Sequence, residues 1–348
     1  MEDQNTKIAG KQSIKFINPP YIIGYSSVAG KKEKQGPLGS YFDYTEDDPM
    51  FGGTSWEDAE SRMQKKAAEV AIKKAGLGTQ DIRYLVAGDL LGQLIATSFG
   101  IMSLQIPMFG VYGACSTMGE AMSIGAILVE GGYADKVVSL TSSHFAGAEK
   151  QFRFPLAYGN QRPLAASWTV TGSGAVVIAK TDQPSGKDDE KSICIKGITT
   201  GKVMDYGIKD SMNMGASMAP AAYDVIYQNF VDFVVQPDYY DQIITGDLGY
   251  IGKEILIDML KEKGYDISSN HMDCGIEIFD RDMQDTHAGG SGCGCSAITL
   301  TGYVMDKLRR GAWKRVLFVP TGALLSTVSF NEGNSVPGIA HGVVLEGL

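Results

Sequence analysis

Long apolar runs are scarce in this chain of 348 residues. The longest weakly charged stretch, residues 93–126, is interrupted by Pro107 and several glycines, so its apolar runs are too short to cross a bilayer. Residues 1–13 are polar and charged with no apolar segment, which gives the expectation of no signal peptide. Contact with a membrane would then go through a partner protein, and the chain would otherwise be cytoplasmic. Basic residues are the minority: 31 Lys and Arg face 40 Asp and Glu, for a net charge of −9. That balance argues against nucleic acid, which demands a basic footprint. Cysteine is limited to five, an odd number without framework spacing, which suits a reducing compartment better than a disulfide scaffold.

Glycine and apolar residues are plentiful. With 43 glycines, 44% hydrophobic and 20% charged residues, the composition fits a compact α/β protein with tight turns. The length exceeds one average domain, so two domains or one duplicated unit is expected. Internal similarity favours duplication. Gly132-Tyr133-Ala134-Asp135-Lys136-Val137-Val138 resembles Gly311-Ala312-Trp313-Lys314-Arg315-Val316-Leu317, and each follows a long helix that starts in small residues. Ala87-Gly88-Asp89-Leu90 pairs with Thr245-Gly246-Asp247-Leu248, each after a helix, about 56–75 and 221–234. Both halves read helix, strand, loop, helix, strand, giving an N-terminal half over 1–185, a C-terminal half over 192–348 and a solvated linker at 181–191 between strands 174–179 and 193–198. Residues 30–54 have little periodicity and read as an insertion folded over the surface. The run 44–48 reads as a solvated acidic loop.

Cys115 stands out. It sits in Gly113-Ala114-Cys115-Ser116-Thr117-Met118-Gly119, at the start of a helix over about 116–129 that is apolar on nearly every side and therefore buried. A cysteine in a helical first turn has free backbone N–H groups and the positive dipole end beside it, both favouring thiolate. The position suits a thiol that attacks an acyl carbonyl, an anion pocket, or a packed structural cysteine.

A duplicated α/β unit with a cysteine heading a buried helix resembles the thiolase fold of condensing enzymes. Gly290-Ser291-Gly292-Cys293-Gly294-Cys295-Ser296-Ala297, Thr245-Gly246-Asp247-Leu248-Gly249, Val319-Pro320-Thr321-Gly322-Ala323 and Gly172-Ser173-Gly174-Ala175 follow in that family's order or occupy its characteristic turns. The resemblance implies a five-layer αβαβα fold, duplicated, and commonly a homodimer. It also implies that the two catalytic positions beside the cysteine hold Asp247 and Ser291 where the family carries histidine or asparagine. A condensing enzyme needs neutral donors or bases there, and loss of one oxyanion donor alone costs ~10²–10³ in rate. Only the cysteine survives. A narrower resemblance, to the stage V sporulation protein AD family of spore-forming bacteria, rests on Pro19-Pro20-Tyr21-Ile22, Tyr112-Gly113-Ala114-Cys115, Phe152-Arg153-Phe154-Pro155, Tyr158-Gly159-Asn160-Gln161-Arg162-Pro163 and Asp285-Thr286-His287-Ala288-Gly289-Gly290.

That family implies binding of dipicolinic acid (pyridine-2,6-dicarboxylate), alone or with Ca²⁺, in concert with membrane proteins of the same sporulation system at the forespore or spore inner membrane. The expected ligand-binding residues are Cys115, Asp247 and Ser291 on the pocket floor, with Arg153, Arg162 and His144 near its mouth. No catalytic residue, cofactor or protein-bound metal is expected. The alternative is an acyl transferase resembling ketoacyl-acyl carrier protein synthase III, with Cys115 as nucleophile and His287 as base. Cys293 and Cys295 lack zinc-site spacing and read as small-residue helix packing. Met204, Met212, Met214 and Met218 read as gap-fillers or an adaptable surface in a loop over 202–220.

Overall fold

The computed structural model describes residues 7–152, 161–182 and 190–348. Its largest sheet system runs in one strand order that repeats itself. In the first half the order is Met108–Gly110, Tyr84–Asp89, Lys136–Ser143, Gly172–Ala179, Tyr21–Gly30. In the second it is His271–Asp273, Gln242–Thr245, Arg315–Val319, Gly338–Gly347, Ile193–Thr200. Numbered by chain position within each half, both read 3-2-4-5-1, and in both the fifth strand runs antiparallel to its two neighbours. One antiparallel pair, Tyr21 with Cys194, joins the two sheets.

Five layers follow from what each helix covers. Helix Thr117–Glu130 packs on its own sheet and on strands Ile193–Thr200 and Gly338–Gly347 of the other half. Helix Cys293–Thr299 packs on three strands of the first half and touches Thr117–Glu130. These two form the middle layer, so Met118, Met122, Cys295 and Ile298 share one core with both sheets. Helix Trp56–Lys74 closes the outer face of the first sheet with a separate core around Met63, Ala67 and Ala71. Helix Met214–Phe233 does the same on the second through Met218, Ala222 and Val225. Sheets covered on both faces explain the unbroken apolar runs Val137–Val138 and Val316–Val319.

Several expectations need adjusting. The helix expected from about 221 begins at Met214, where the Asn213 side chain accepts the Ala216 N–H at 3.3 Å, and Pro220 lies inside it. Pro220 is the seventh residue of this helix, past its first turn, so the helix forgoes one i→i−4 hydrogen bond there, offset by the burial of Met218, Ala219, Ala221 and Ala222 around it. Met214 and Met218 therefore belong to this helix, and Met218 is fully buried. Residues 30–54 contain the short helix Lys31–Lys34 and strand Tyr44–Glu46, which pairs in parallel with Tyr21–Gly30 through Val28 and Tyr44. Most of the expected linker, at 183–189, lies outside the described residues.

Candidate functional site

Cys115 stands on a strained turn. Ala114, a non-glycine, holds φ 48°, and the Thr117 and Ser116 hydroxyls donate to the carbonyls of Ala114 and Gly113 at 2.6 and 2.7 Å. Strain of this kind persists where surrounding structure fixes it. Here it aims the thiol away from its helix, toward the second half. The sulfur lies 3.9 Å from the Ser291 Oγ, and Ser291 donates to the Asp247 Oδ2 at 2.9 Å. The same oxygen accepts the Gly292 N–H at 3.0 Å, and Oδ1 accepts the Thr321 hydroxyl at 2.8 Å. Asp247 thus ties together three loops of the second half.

The Asp247 loop is anchored by a second buried carboxylate. Asp273 accepts from the Thr245 hydroxyl at 2.7 Å and from the backbone N–H groups of Leu248 and Gly249 at 2.9 and 3.1 Å. Neither Thr321 nor Asp273 carries a local sequence signal, because each acts across tens of residues.

Burial decides the charges. It pushes the Asp247 carboxyl up to about 6, against the lowering effect of its Cys115, Gly292 and Thr321 contacts. Burial, followed by the Asp247 carboxylate, pushes the Cys115 thiol well above its ordinary value. The helix N-terminus was expected to favour thiolate, and that expectation is corrected: removal from water and a neighbouring carboxylate outweigh the dipole.

The expected base does not reach the thiol. His287 faces the Pro163 carbonyl through Nδ1 at 2.8 Å and Asp285 through Nε2 at 3.0 Å. Its backbone, at φ 54°, belongs to the turn that carries this contact. The other histidines are engaged elsewhere: His271 with Thr245, His341 with the Gly201 N–H, and His144 with Pro49. Cys293 and Cys295 lie buried in helix packing, their thiols directed at the Ser142 and Gly246 carbonyls. The described residues hold no cluster of three or more His, Cys, Asp or Glu able to bind a metal ion.

The chamber over Cys115 and Ser291 measures about 30 Å³ and is walled by Leu90, Tyr112, Phe152, Met214 and Leu325. Space of that size holds about one water.

His144 and Arg162, expected at the mouth of this chamber, are elsewhere; Arg153 lies outside the described residues. His144 ends strand Lys136–Ser143 and lines a second cavity of about 570 Å³. Its Nδ1 accepts the Ala146 N–H at 3.2 Å, so Nε2 carries the proton donated to the Pro49 carbonyl at 2.8 Å. Arg162 donates to the Asp285 carbonyl at 2.9 Å and spreads its guanidinium 4.7 Å from the Trp168 ring centre. The cavity itself is bounded by Trp56, Phe145, Trp168, Lys31, Lys32 and Glu33 among others. Local patterning does not single out these aromatic residues, which are spread over more than 100 positions with no shared motif.

Comparison with known proteins agrees with this architecture. The chain is similar in fold to 3-oxoacyl-acyl-carrier-protein synthase III from Aquifex aeolicus VF5, with a TM-score of 0.56 at 14% identity over 94% of this chain and 99% of that one. It is also similar to a variant of OleA from Xanthomonas campestris, with a TM-score of 0.61 at 15% identity over 95% of this chain and 97% of that one. In sequence it is 45% identical over 340 residues to the stage V sporulation protein AD of Bacillus subtilis (strain 168), covering 98% of both chains. The model of that family matches residues 10–346. A thiolase-like chain whose cysteine faces Ser291 and Asp247 thus belongs to the stage V sporulation protein AD family.

Proposed function

We propose that this sporulation protein is a receptor for dipicolinate, pyridine-2,6-dicarboxylate, which it binds without transforming. One observation carries the non-enzymatic part of the reading. Cys115 is a buried thiol held protonated beside Ser291 and Asp247, with its nearest acid already occupied by three donors. Condensation needs a thiolate and donors for a developing oxyanion, and an anionic carboxylate in that place repels such charge. The family's implied ligand carries the rest. The receptor works with membrane proteins of the same sporulation system at the forespore or spore inner membrane. No helix among the described residues is long and apolar enough to cross a membrane, in keeping with attachment through those partners.

The protein is also proposed to act as a homodimer. Strand Met108–Gly110 ends the first sheet; its Met108 and Phe109 are 39% and 47% exposed, and Met102, which shares a surface groove with Met108, is 60% exposed. An apolar sheet edge of this kind is a ready surface for a second copy.

Titration calorimetry and thermal unfolding with dipicolinate, with and without Ca²⁺, test the receptor reading. Binding to the native state raises the melting temperature. No heat and no shift in either condition removes the ligand assignment.

A further inference from the structure

We propose that Glu60 is a neutral carboxylic acid whose proton is donated to the Gln64 side-chain oxygen, and that this proton positions the wall of the chamber over Cys115 for an anionic ligand. The consequence for ligand binding rests on the receptor function proposed above. The proton itself rests on the hydrogen bonds around it.

Glu60 and Gln64 stand one turn apart on helix Trp56–Lys74 and are fully buried against the first sheet. Residues four apart on a helix are neighbours. Both reach one hydroxyl: Ser142 Oγ donates to Glu60 Oε1 at 2.8 Å and accepts from Gln64 Nε2 at 3.2 Å. Gln64 Nε2 also donates to the Gly88 carbonyl at 3.1 Å and to Thr97 Oγ1 at 3.0 Å. A carbonyl only accepts, so the Gly88 contact fixes which end of the amide is nitrogen and turns Oε1 the other way. The remaining oxygens, Glu60 Oε2 and Gln64 Oε1, are buried acceptors with no donor among the described residues. Buried acceptors left unpaired are costly. One proton on Glu60 satisfies both.

The neighbouring acid takes the charge. Asp89, ending strand Tyr84–Asp89, accepts the Leu91 N–H at 2.8 Å and the Thr97 N–H and hydroxyl at 2.7 and 2.6 Å. Three donors suit a carboxylate, whereas a single hydroxyl donor and a nearby carboxylate suit a neutral acid. Burial, reinforced by the Asp89 charge, pushes the Glu60 carboxyl well above the usual range. The other titratable groups around it do not reverse this. Glu57, on the same helix, is held by Lys150 at 2.9 Å, which commits that cation. Glu149, on helix Phe145–Phe152, is a further buried acid. Burial keeps the Cys293 thiol protonated on the Ser142 carbonyl, and the His144 ring is turned to Pro49.

These acids stand behind the Cys115 chamber. Leu90 follows Asp89, Ala148 precedes Glu149, and both line that chamber. With Cys293 they form one apolar cluster around Ala114 and Cys115. Ionisation of Glu60 would break its bond to Gln64 and set a second negative charge beside Asp89, behind this wall. The first change loosens the Ser142 and Gln64 frame, and the second repels an anion across a low-dielectric layer.

The test uses the full chain and two variants. Glu60→Gln keeps a donor for Gln64 and an acceptor for Ser142 but cannot ionise, and Glu60→Leu offers neither. Near neutral pH, the infrared difference spectrum between wild type and Glu60→Gln should contain the carbonyl stretch of a protonated acid, displaced in heavy water. Carboxylate bands in its place overturn the proposal. So does a wild-type melting temperature that falls when choline replaces sodium and potassium while that of Glu60→Gln does not, because the two oxygens then hold a cation. A raised carboxyl contributes stability that is lost as pH rises through its folded value, so the melting temperature of Glu60→Gln should rise relative to wild type from about pH 6 to about pH 9. Calorimetry over that range should show wild type losing dipicolinate affinity ~10-fold or more relative to Glu60→Gln. Titration of Asp247 is common to both proteins and cancels in this comparison. At the acid end, Glu60→Leu should bind ~10-fold more weakly than Glu60→Gln. Unfolding curves establish that each variant is folded, and the Glu60→Gln profile decides alone if Glu60→Leu is not. Parallel profiles in wild type and Glu60→Gln, with dipicolinate bound by both, overturn the positioning role. If neither protein binds dipicolinate at any pH, the receptor reading falls, and the infrared and melting results still decide where the proton sits.

Discussion

At Cys115 two residue-scale effects compete, and their magnitudes decide the chemistry. A helix N-terminus favours an anion by ~0.3–1 kcal/mol in exposed settings and up to ~2 when partly buried. Removing a charge from water costs several kcal/mol even after relaxation. The thiol is 4% exposed and has a carboxylate rather than an imidazole across Ser291, so it stays protonated. Asp247 shares that environment and gives a measurable consequence. Its carboxyl, raised from 3.8 to about 6, favours the protonated folded state. That contribution is complete below the unfolded value and is lost as pH rises through the folded one. A rise of this size is worth on the order of 3 kcal/mol. Asp247→Asn removes the titration, so its stability relative to wild type should improve by up to about that amount between pH 4 and pH 7. Denaturant midpoints across this range measure it, and a difference that stays constant with pH contradicts the raised carboxyl.

Elements meet at the thiol by backbone contact as well as by side chains. A Cβ on Gly322 would lie 2.2 Å from the Gly113 carbonyl oxygen and 3.0 Å from the Ser116 nitrogen, so strand Thr321–Ala323 can approach the Cys115 turn only as glycine. Gly322→Ala should destabilise the protein by on the order of 1–3 kcal/mol. Gly147→Ala, in helix Phe145–Phe152, meets nothing nearer than 3.7 Å and should be neutral or stabilising by up to ~1 kcal/mol. Paired denaturation curves separate the two, and equal effects would contradict the close approach. The elements themselves were legible where one local signal dominated. The apolar run after Cys115 reads as a buried helix and is one, Thr117–Glu130. The start of Met214–Phe233 was misread because Pro220 marks a boundary in local rules, whereas the Asn213 cap and burial of Met218 sustain the helix before it.

For the whole molecule, each half lends its central helix to a layer shared by both sheets, so neither half has a complete core without the other. The exposed edge at Met108–Gly110 extends the same logic to a second copy. Light scattering with size-exclusion chromatography should give a dimer for the wild-type chain and a monomer for Phe109→Glu, which places a charge on the apolar edge. A wild-type monomer at micromolar concentration would remove the proposed dimer.

The amino-acid sequence by itself determined the duplicated strand-and-helix order and the buried helix behind Cys115. Each of these is written in local periodicity or in a motif a few residues long. Tertiary structure alone decided which groups meet. It brought Ser291 and Asp247 to the sulfur, turned His287 to Asp285, moved His144 to another cavity and assembled that cavity from Lys32, Trp56, Phe145 and Trp168. Those meetings depend on the side of a strand or helix each residue takes and on contacts between distant segments, and hydrophobic patterning carries neither.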